Sequence, residues 1–317
     1  MKITIVICTY RRPDSLARTL TSIAEVELPV TAQWQLLVVD NSGCVDTQRV
    51  ANSFGDRLPI EVLIEPEAGL SHARNAAVRH MDCDYVIWTD DDVAVSPQWL
   101  RSYEAAFAAH PDAAFFGGPI APQFEGRPPA WLKAALPLIG SAFAACDLAD
   151  KTENGQLKPG DLPFGANMAI RAREQRALQY DVSRGRQPGR WLLSGEESQL
   201  LRMIYRAGGI GVWVSDASVA HWIDAERQSI AYLRRYYEGR AVAEARAALA
   251  QPSKQDTSTV LLWRDLLGSE LNWLRGWLLR EPRLWVDALK KASRLRGTLA
   301  ARRELRHEVA LRLGAEG

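Results

Sequence analysis

Three consecutive carboxylates, Asp90-Asp91-Asp92, follow the apolar run Tyr85–Thr89 and form the longest acidic run in the chain. Like charges so close repel one another unless a cation neutralises them. Mg²⁺ and Mn²⁺ suit that task, because they take oxygen ligands, one or two carboxylates together with substrate phosphates. In an extended strand residues i and i+2 share a face, so Asp90 and Asp92 can address one ion while Asp91 turns aside or toward a ribose. The triplet reads equally as a solvated acidic loop, and its residue types alone do not choose. A second acidic pair, Glu196-Glu197, opens a helical pattern, where negative charge is favoured in any case.

The elements around the triplet decide what it can reach. Residues 1–120 alternate strand and helix patterns. Lys2–Cys8, Trp34–Val39, Ile60–Ile64 and Tyr85–Thr89 read as strands. Pro13–Val26 carries Leu16, Leu20 and Ile23 at helical spacing, with Pro13 in the first turn, and Leu70–His80 is a second helix. Ser96-Pro97 predicts a further helix start, Ser as cap and Pro at the first position. Such alternation implies a parallel sheet covered on both faces, and ligands bind beyond the carboxyl ends of its strands. Thr9, Asp40 and Asp90 each stand just past a strand and are expected on one rim. Residues 120–165, rich in Pro, Gly and Ala, read as a long connection with short elements. Glu197–Ala207 is a helix closed by Gly208-Gly209, and Val212–Ser215 a strand. From Arg227 onward the pattern is helical, broken near Gln251–Ser253 and at Pro282.

Composition narrows the class. The 317 residues are 47% apolar, enough for a sizeable core. A net charge of +1 hides an acidic body, −6 over residues 1–225, and a basic tail, +7 over 226–317. Cys8, Cys44, Cys83 and Cys146 are widely spaced, which argues against a structural zinc site or a disulfide framework. Reduced thiols fit a cytoplasmic protein. The first apolar run is too short for a signal-peptide core, and no stretch is long enough to span a membrane.

Four blocks occur in the order and at the spacing of the family 2 glycosyltransferases, which they resemble. They are Ile5-Val6-Ile7-Cys8-Thr9-Tyr10-Arg11-Arg12, Val38-Val39-Asp40-Asn41-Ser42, Gly69-Leu70-Ser71-His72-Ala73-Arg74-Asn75 and Thr89-Asp90-Asp91-Asp92. Phe164-Gly165-Ala166-Asn167-Met168-Ala169-Ile170-Arg171 and Leu193-Ser194-Gly195-Glu196-Glu197-Ser198-Gln199-Leu200 extend the resemblance to residues 1–225. It implies an α/β chain with the GT-A fold, a mostly parallel Rossmann-like sheet flanked by helices. Residues 1–225 would be the catalytic domain and 226–317 a helical, basic, Trp-rich C-terminal extension.

The resemblance also implies chemistry. A sugar would move with inversion from a nucleoside-diphosphate sugar, by default a UDP-sugar, to a hydroxyl of a glycan or lipid-linked acceptor. Asp90 and Asp92 would hold Mn²⁺ or Mg²⁺ at the leaving diphosphate, joined by His221 in Val219-Ala220-His221-Trp222. Asp91 is a third ligand or a ribose contact. Glu197 is the expected general base; the family usually has Asp there, which keeps Glu196 as the fallback. Thr9, Tyr10, Arg12, Asp40 and Arg74 match positions lining the nucleotide. Asn167 and Gly165 belong near the sugar or acceptor. Trp131 and Trp191 can stack on a sugar face or fill a core. Competing readings are an inert nucleotide-sugar or glycan binder of the same fold and a sugar-phosphate nucleotidyltransferase. The latter wants a Gly-rich loop where this chain has Thr9-Tyr10-Arg11-Arg12-Pro13. A dehydrogenase lacks its G-x-G-x-x-G.

In the C-terminal third, Thr259–Leu279 carries Trp263, Leu266, Leu267, Leu271, Leu274, Trp277 and Leu278 on one helical stripe. Trp285–Arg306 sets Val286, Leu289, Ala292, Leu295 and Leu299 against a basic face containing Lys290, Lys291, Arg294, Arg296, Arg302, Arg303 and Arg306. Three readings follow: packing with a solvated basic face, a peripheral anchor on the inner face of the membrane, or a homo-oligomer through the tryptophan stripe. No motif points to nucleic acid.

Overall fold

The computed structural model describes residues 1–152, 155–183, 195–249 and 258–314. The chain divides into two compact units, one of residues 1–123, 143–185 and 196–223, the other of 124–142, 186–195 and 224–317. In order the elements are β1 (Lys2–Thr9), α1 (Pro13–Ile23), β2 (Gln33–Asp40), α2 (Val45–Asn52), β3 (Ile60–Ile64), α3 (Leu70–His80), β4 (Tyr85–Asp90), β5 (Val93–Val95), α4 (Trp99–Ala109), β6 (Ala113–Gly117) and β7 (Ile120–Phe124). Then come α5 (Ala130–Ile139), β8 (Asn167–Arg171), α6 (Ala172–Arg176), α7 (Glu196–Arg206), β9 (Ile210–Trp213), β10 (Val219–Ile223), α8 (Ile230–Leu249), α9 (Thr259–Leu278) and α10 (Pro282–Gly314).

The first unit is built on a seven-stranded sheet of order β3-β2-β1-β4-β8-β6-β9, beside a three-stranded sheet β5-β10-β7. β3, β2, β1 and β4 run parallel, as do β6 and β9, while β8 lies antiparallel between β4 and β6. The mostly parallel sheet expected from the strand–helix alternation is therefore present. β1 and β4 are buried along almost their whole length, which is why they read as continuous apolar runs. α1 covers the sheet with Leu16, Leu20 and Ile23, the helical stripe of the sequence.

The expected helix start at Ser96 needs correction. α4 begins at Trp99, and the Ser96 carbonyl instead accepts the Trp99 N–H in a turn. Burial of Trp99 and Tyr103 sets the start of the helix, overriding the local cap signal. Glu104 on α4 accepts N–H bonds from Val30, Thr31 and Ala32 at 2.6–2.7 Å. Burial opposes ionisation, but these donors win and hold its carboxyl down at about 2. β6 and β8 carry only a weak strand signal, because Ala113-Ala114-Phe115-Phe116-Gly117 and Asn167–Arg171 lack the β-branched density of the first strands.

The second unit is helical. α10 packs on α8, α9 and α5. The hydroxyls of Tyr232 and Tyr236 donate to the carbonyls of Ala142 and Ser141, and Lys290 donates to the Leu138 carbonyl. Gly276 on α9 faces Trp285 so closely that a Cβ there would strike the Trp285 backbone. Leu262, Leu266, Ser269 and Gly276 are the buried positions of α9. Among the described residues no helix is long and apolar enough to cross a membrane.

Candidate active site

Strand register gathers the site. Thr9 pairs with Asp40, Cys8 with Asp90, and Thr89 with Asn167, so β2, β1, β4 and β8 bring these residues to one rim of the sheet. The acidic triplet leaves that rim in a tight turn between β4 and β5. β10 pairs with β5, opposing His221 to Val93, and the Trp222 N–H donates to the Asp92 carbonyl at 2.9 Å. That pairing delivers His221 to a triplet 129 positions earlier in the chain.

Asp91 and Asp92 are buried. Asp91 accepts from the Thr9 hydroxyl at 2.7 Å and from Arg12 Nη1 at 2.6 Å. Arg12 also donates to Asp92 Oδ2 through both terminal nitrogens, at 3.1 Å each. Burial pushes the Asp91 carboxyl up to about 7, against the pull of Arg12 and with the charge of Asp92 adding to the rise. Arg12 thus supplies the positive charge that the triplet requires. Charge complementarity between a loop arginine and a nearby acidic triplet is the sequence signal for this pairing.

His221 Nδ1 lies 2.8 Å from the Phe143 carbonyl. A carbonyl only accepts, so Nδ1 carries the proton and Nε2 is turned to Asp92 Oδ1 at 3.2 Å. Neighbouring ligands of an octahedral ion, each about 2.1 Å from it, lie about 3.0 Å apart. The His221–Asp92 spacing fits such an ion, which these two side chains would help to hold. Among the described residues no three His, Cys, Asp or Glu side chains gather around one point, so Asp90 does not complete a set with Asp92 and His221. The reason is local: β4 ends at Asp90 and the chain turns at Asp91-Asp92, so strand alternation stops before it can align Asp90 with Asp92.

A second charged cluster lies where α3 meets α7. Arg74 is buried, donates to Glu196 Oε1 at 2.8 Å and stands 3.6 Å from Glu197 Oε2. Its guanidinium lies 5.2 Å from the centre of the Tyr180 ring and 6.0 Å from that of Trp88. Asn75 holds Tyr180 there through both of its amide atoms. Burial pushes Glu196 up to about 8, helped by the charge of Glu197. Glu197 is buried too, yet Arg74 and backbone N–H groups, including that of Gly165, outweigh burial and hold it below the usual carboxylate range. Among the described residues Glu196 Oε2 and Glu197 Oε2 are both buried oxygens with no hydrogen-bond partner. A Cβ at Gly165 would press on the Arg74 guanidinium, which would have to shift to admit it. The charge of Asp90 reaches both Arg12 and Arg74, linking the two clusters electrostatically.

Other expected site residues are placed differently. Asn167 is fully buried; its Oδ1 accepts from Trp99 Nε1 and the Tyr103 hydroxyl, and its Nδ2 donates to the Pro119 and Ala217 carbonyls. All four of those bonds are made inside the protein, so Asn167 ties β8 to its surroundings and a sugar-facing role does not fit. Asp40 is fully buried as well, accepting from the Ser42 N–H and hydroxyl and from Gln48. Tyr10 is half-buried with the Arg11 guanidinium 5.5 Å from its ring centre. Trp131 belongs to the second unit and packs against Trp285 at 5.1 Å between ring centres, the core alternative. Trp191 lies outside the described residues.

Residues 4–171 of the 317 match the profile of Glycosyl transferase family 2. The chain is 26% identical over 262 residues to the succinoglycan biosynthesis protein ExoM of Rhizobium meliloti, covering 80% of this chain and 78% of ExoM. It is 24% identical over 247 residues to the glucosyl-dolichyl phosphate glucuronosyltransferase of Haloferax volcanii, covering 75% of each. Among solved structures, the mannosyltransferase PcManGT of Pyrobaculum calidifontis, in complex with GDP-Man and Mn²⁺, superposes with a TM-score of 0.54 at 16% identity, over 98% of this chain and 80% of that one. Residues 1–349 of S. aureus TarS with UDP superpose with a TM-score of 0.52 at 13% identity, over 92% of this chain and 90% of that one. The solved neighbours share the GT-A-like fold, and on its family match this chain belongs to glycosyl transferase family 2.

Proposed function

We propose that this glycosyltransferase serves glycan biosynthesis, moving a sugar from a nucleoside-diphosphate sugar to a hydroxyl of a glycan or lipid-linked acceptor with inversion. The observation that carries the reading is the setting of Glu197: a buried carboxylate, held below the usual range by Arg74 and backbone N–H groups, with an oxygen that makes no hydrogen bond, beside Gly165 at the rim that holds the acidic triplet. Such an oxygen can take the proton of an attacking hydroxyl. Asp92 and His221 would hold Mn²⁺ or Mg²⁺, whose chemistry is to neutralise the departing diphosphate. Arg12 would exchange its carboxylate partners for phosphate oxygens when the donor enters. Thr9, Tyr10 and Arg74 complete the donor side. Uridine is the proposed base, consistent with the TarS complex; the GDP-Man complex of PcManGT makes guanosine the alternative to include in any test. The helical unit would meet a membrane surface, which suits a lipid-linked acceptor.

A thermal-shift panel of UDP- and GDP-sugars with Mn²⁺ tests the donor, since a ligand of the native state raises its melting temperature by mass action. Stabilisation by one nucleotide series, followed by release of that nucleoside diphosphate with acceptor, is expected. Stabilisation without turnover on any acceptor would favour an inert binder, and no stabilisation would overturn the donor reading.

A further inference from the structure

α9 carries apolar side chains on two faces, and only one is covered. Val260, Trp263, Leu267, Leu271, Leu274 and Leu278 recur at intervals of three and four, one continuous helical stripe. They and Trp277 are between 44% and 75% exposed, whereas Leu262 and Leu266 on the other face are buried. The stripe is thus mostly turned outward, against the packing alternative for it. Seven large apolar side chains on one helix exceed the scattered exposure normal for a soluble surface.

The charges beside the stripe indicate what covers it. Arg264 and Arg275 are exposed and lie three or four positions from stripe members, along one edge. α9 has two acidic residues, and both are in ion pairs: Asp265 with Arg264 at 2.9 Å, Glu270 with Arg296 at 2.7 Å. Residues 226–317 carry a net charge of +7. Trp263 and Trp277 stand about 21 Å apart along the helix axis at 1.5 Å per residue, and tryptophan favours the boundary between acyl chains and headgroups. A second copy pairing through the same stripe would bring two regions of like charge together.

We propose that α9 lies flat on an anionic lipid bilayer, with the Val260–Leu278 stripe among the acyl chains and Arg264 and Arg275 at the phosphates. This rests on the membrane contact proposed above and is independent of the donor and of the transfer chemistry. α9 would lie on the membrane without crossing it, as an amphipathic helix with basic flanks does.

Co-sedimentation of the full chain with vesicles of phosphatidylcholine, alone or mixed with phosphatidylglycerol, tests the proposal. Binding to the mixed vesicles is expected, and much weaker binding to phosphatidylcholine alone. Leu267→Glu with Leu271→Glu should lower partitioning about tenfold or more, and each of Arg264→Gln and Arg275→Gln about fivefold on mixed vesicles. These positions are exposed, so circular dichroism and melting temperature should stay near those of the parent; Trp263→Ala with Trp277→Ala is a second pair should the first fail to fold. If the parent binds no vesicle, the membrane contact itself is overturned. If the parent binds and both stripe variants bind equally, the contact stands and α9 is not its face. Self-association in sedimentation velocity that the stripe variants abolish, without vesicle binding, would make a second copy the occupant.

Discussion

Arg74 Nη1 donates to Glu196 Oε1 across 2.8 Å, joining two buried side chains 122 positions apart. Arg74 faces two adjacent buried carboxylates at once. Burial and the charge of its neighbour raise Glu196 against the pull of this bond, while Arg74 and backbone N–H groups lower Glu197.

Glu197→Gln should lower kcat by about 10²–10⁴ with donor affinity retained in calorimetry. Glu196→Gln keeps the neutral form toward which burial drives Glu196 and should keep most of the turnover. The reverse order of effects would assign the base to Glu196.

The same pair sets a pH dependence of stability. Glu196 is raised from 4.5 to about 8, so the folded state keeps a proton that the unfolded chain has released. Its contribution is complete below about pH 4.5 and is lost progressively as pH rises to about 8. Melting temperature should fall over that window, and Glu196→Gln should flatten the fall. An unchanged slope in the variant would mean that Glu196 is ionised in the native protein.

Arg74→Ala would leave the Glu197 charge buried without its cation. A loss of about 3–5 kcal/mol in urea unfolding is expected, with partial recovery in Arg74→Lys, which restores the charge but not the planar fork. A loss no larger than that of an exposed arginine would contradict the buried placement.

Chelation of divalent cations should abolish transfer. Asp92→Asn and His221→Ala should each weaken Mn²⁺ binding by about tenfold or more, measured by calorimetry with a nucleoside diphosphate present. Asp90→Asn should weaken it less, because Asp92 and His221 are the two groups at ligand spacing. A larger effect at Asp90 would reinstate the pairing expected from strand alternation.

Glu104→Gln tests the brace between α4 and residues 30–32. The carboxyl is held at about 2, so its contribution is present above about pH 4.5 and lost as pH falls toward 2. The variant should be less stable by about 1–3 kcal/mol at neutral pH and should converge with the parent in acid. A gap that persists at about pH 2 would assign the loss to packing.

Much of the first unit was legible because its signals are local. Apolar runs of strand length mark β1 to β4, helical spacing marks α1 and α3, and carboxylate-bearing strand ends mark the rim. β6 and β8 were hidden because burial between neighbouring strands, not β-branched composition, makes them strands. The start of α4 was misplaced because a buried tryptophan outweighed a cap signal.

By itself the sequence determined the mostly parallel half of the sheet and the order in which Thr9, Asp40 and Asp90 reach its edge, since strand period and strand-end placement act over a few residues. The tertiary structure alone decided the partners of each charge. It set Arg12 on Asp91 and Asp92, turned His221 to Asp92 and away from a three-ligand set with Asp90, and consumed the Asn167 amide in the core. It also left the α9 stripe facing outward. Those outcomes depend on which distant segments share a low-dielectric space, where burial and the nearest opposite charge, not residue type, settle protonation and pairing.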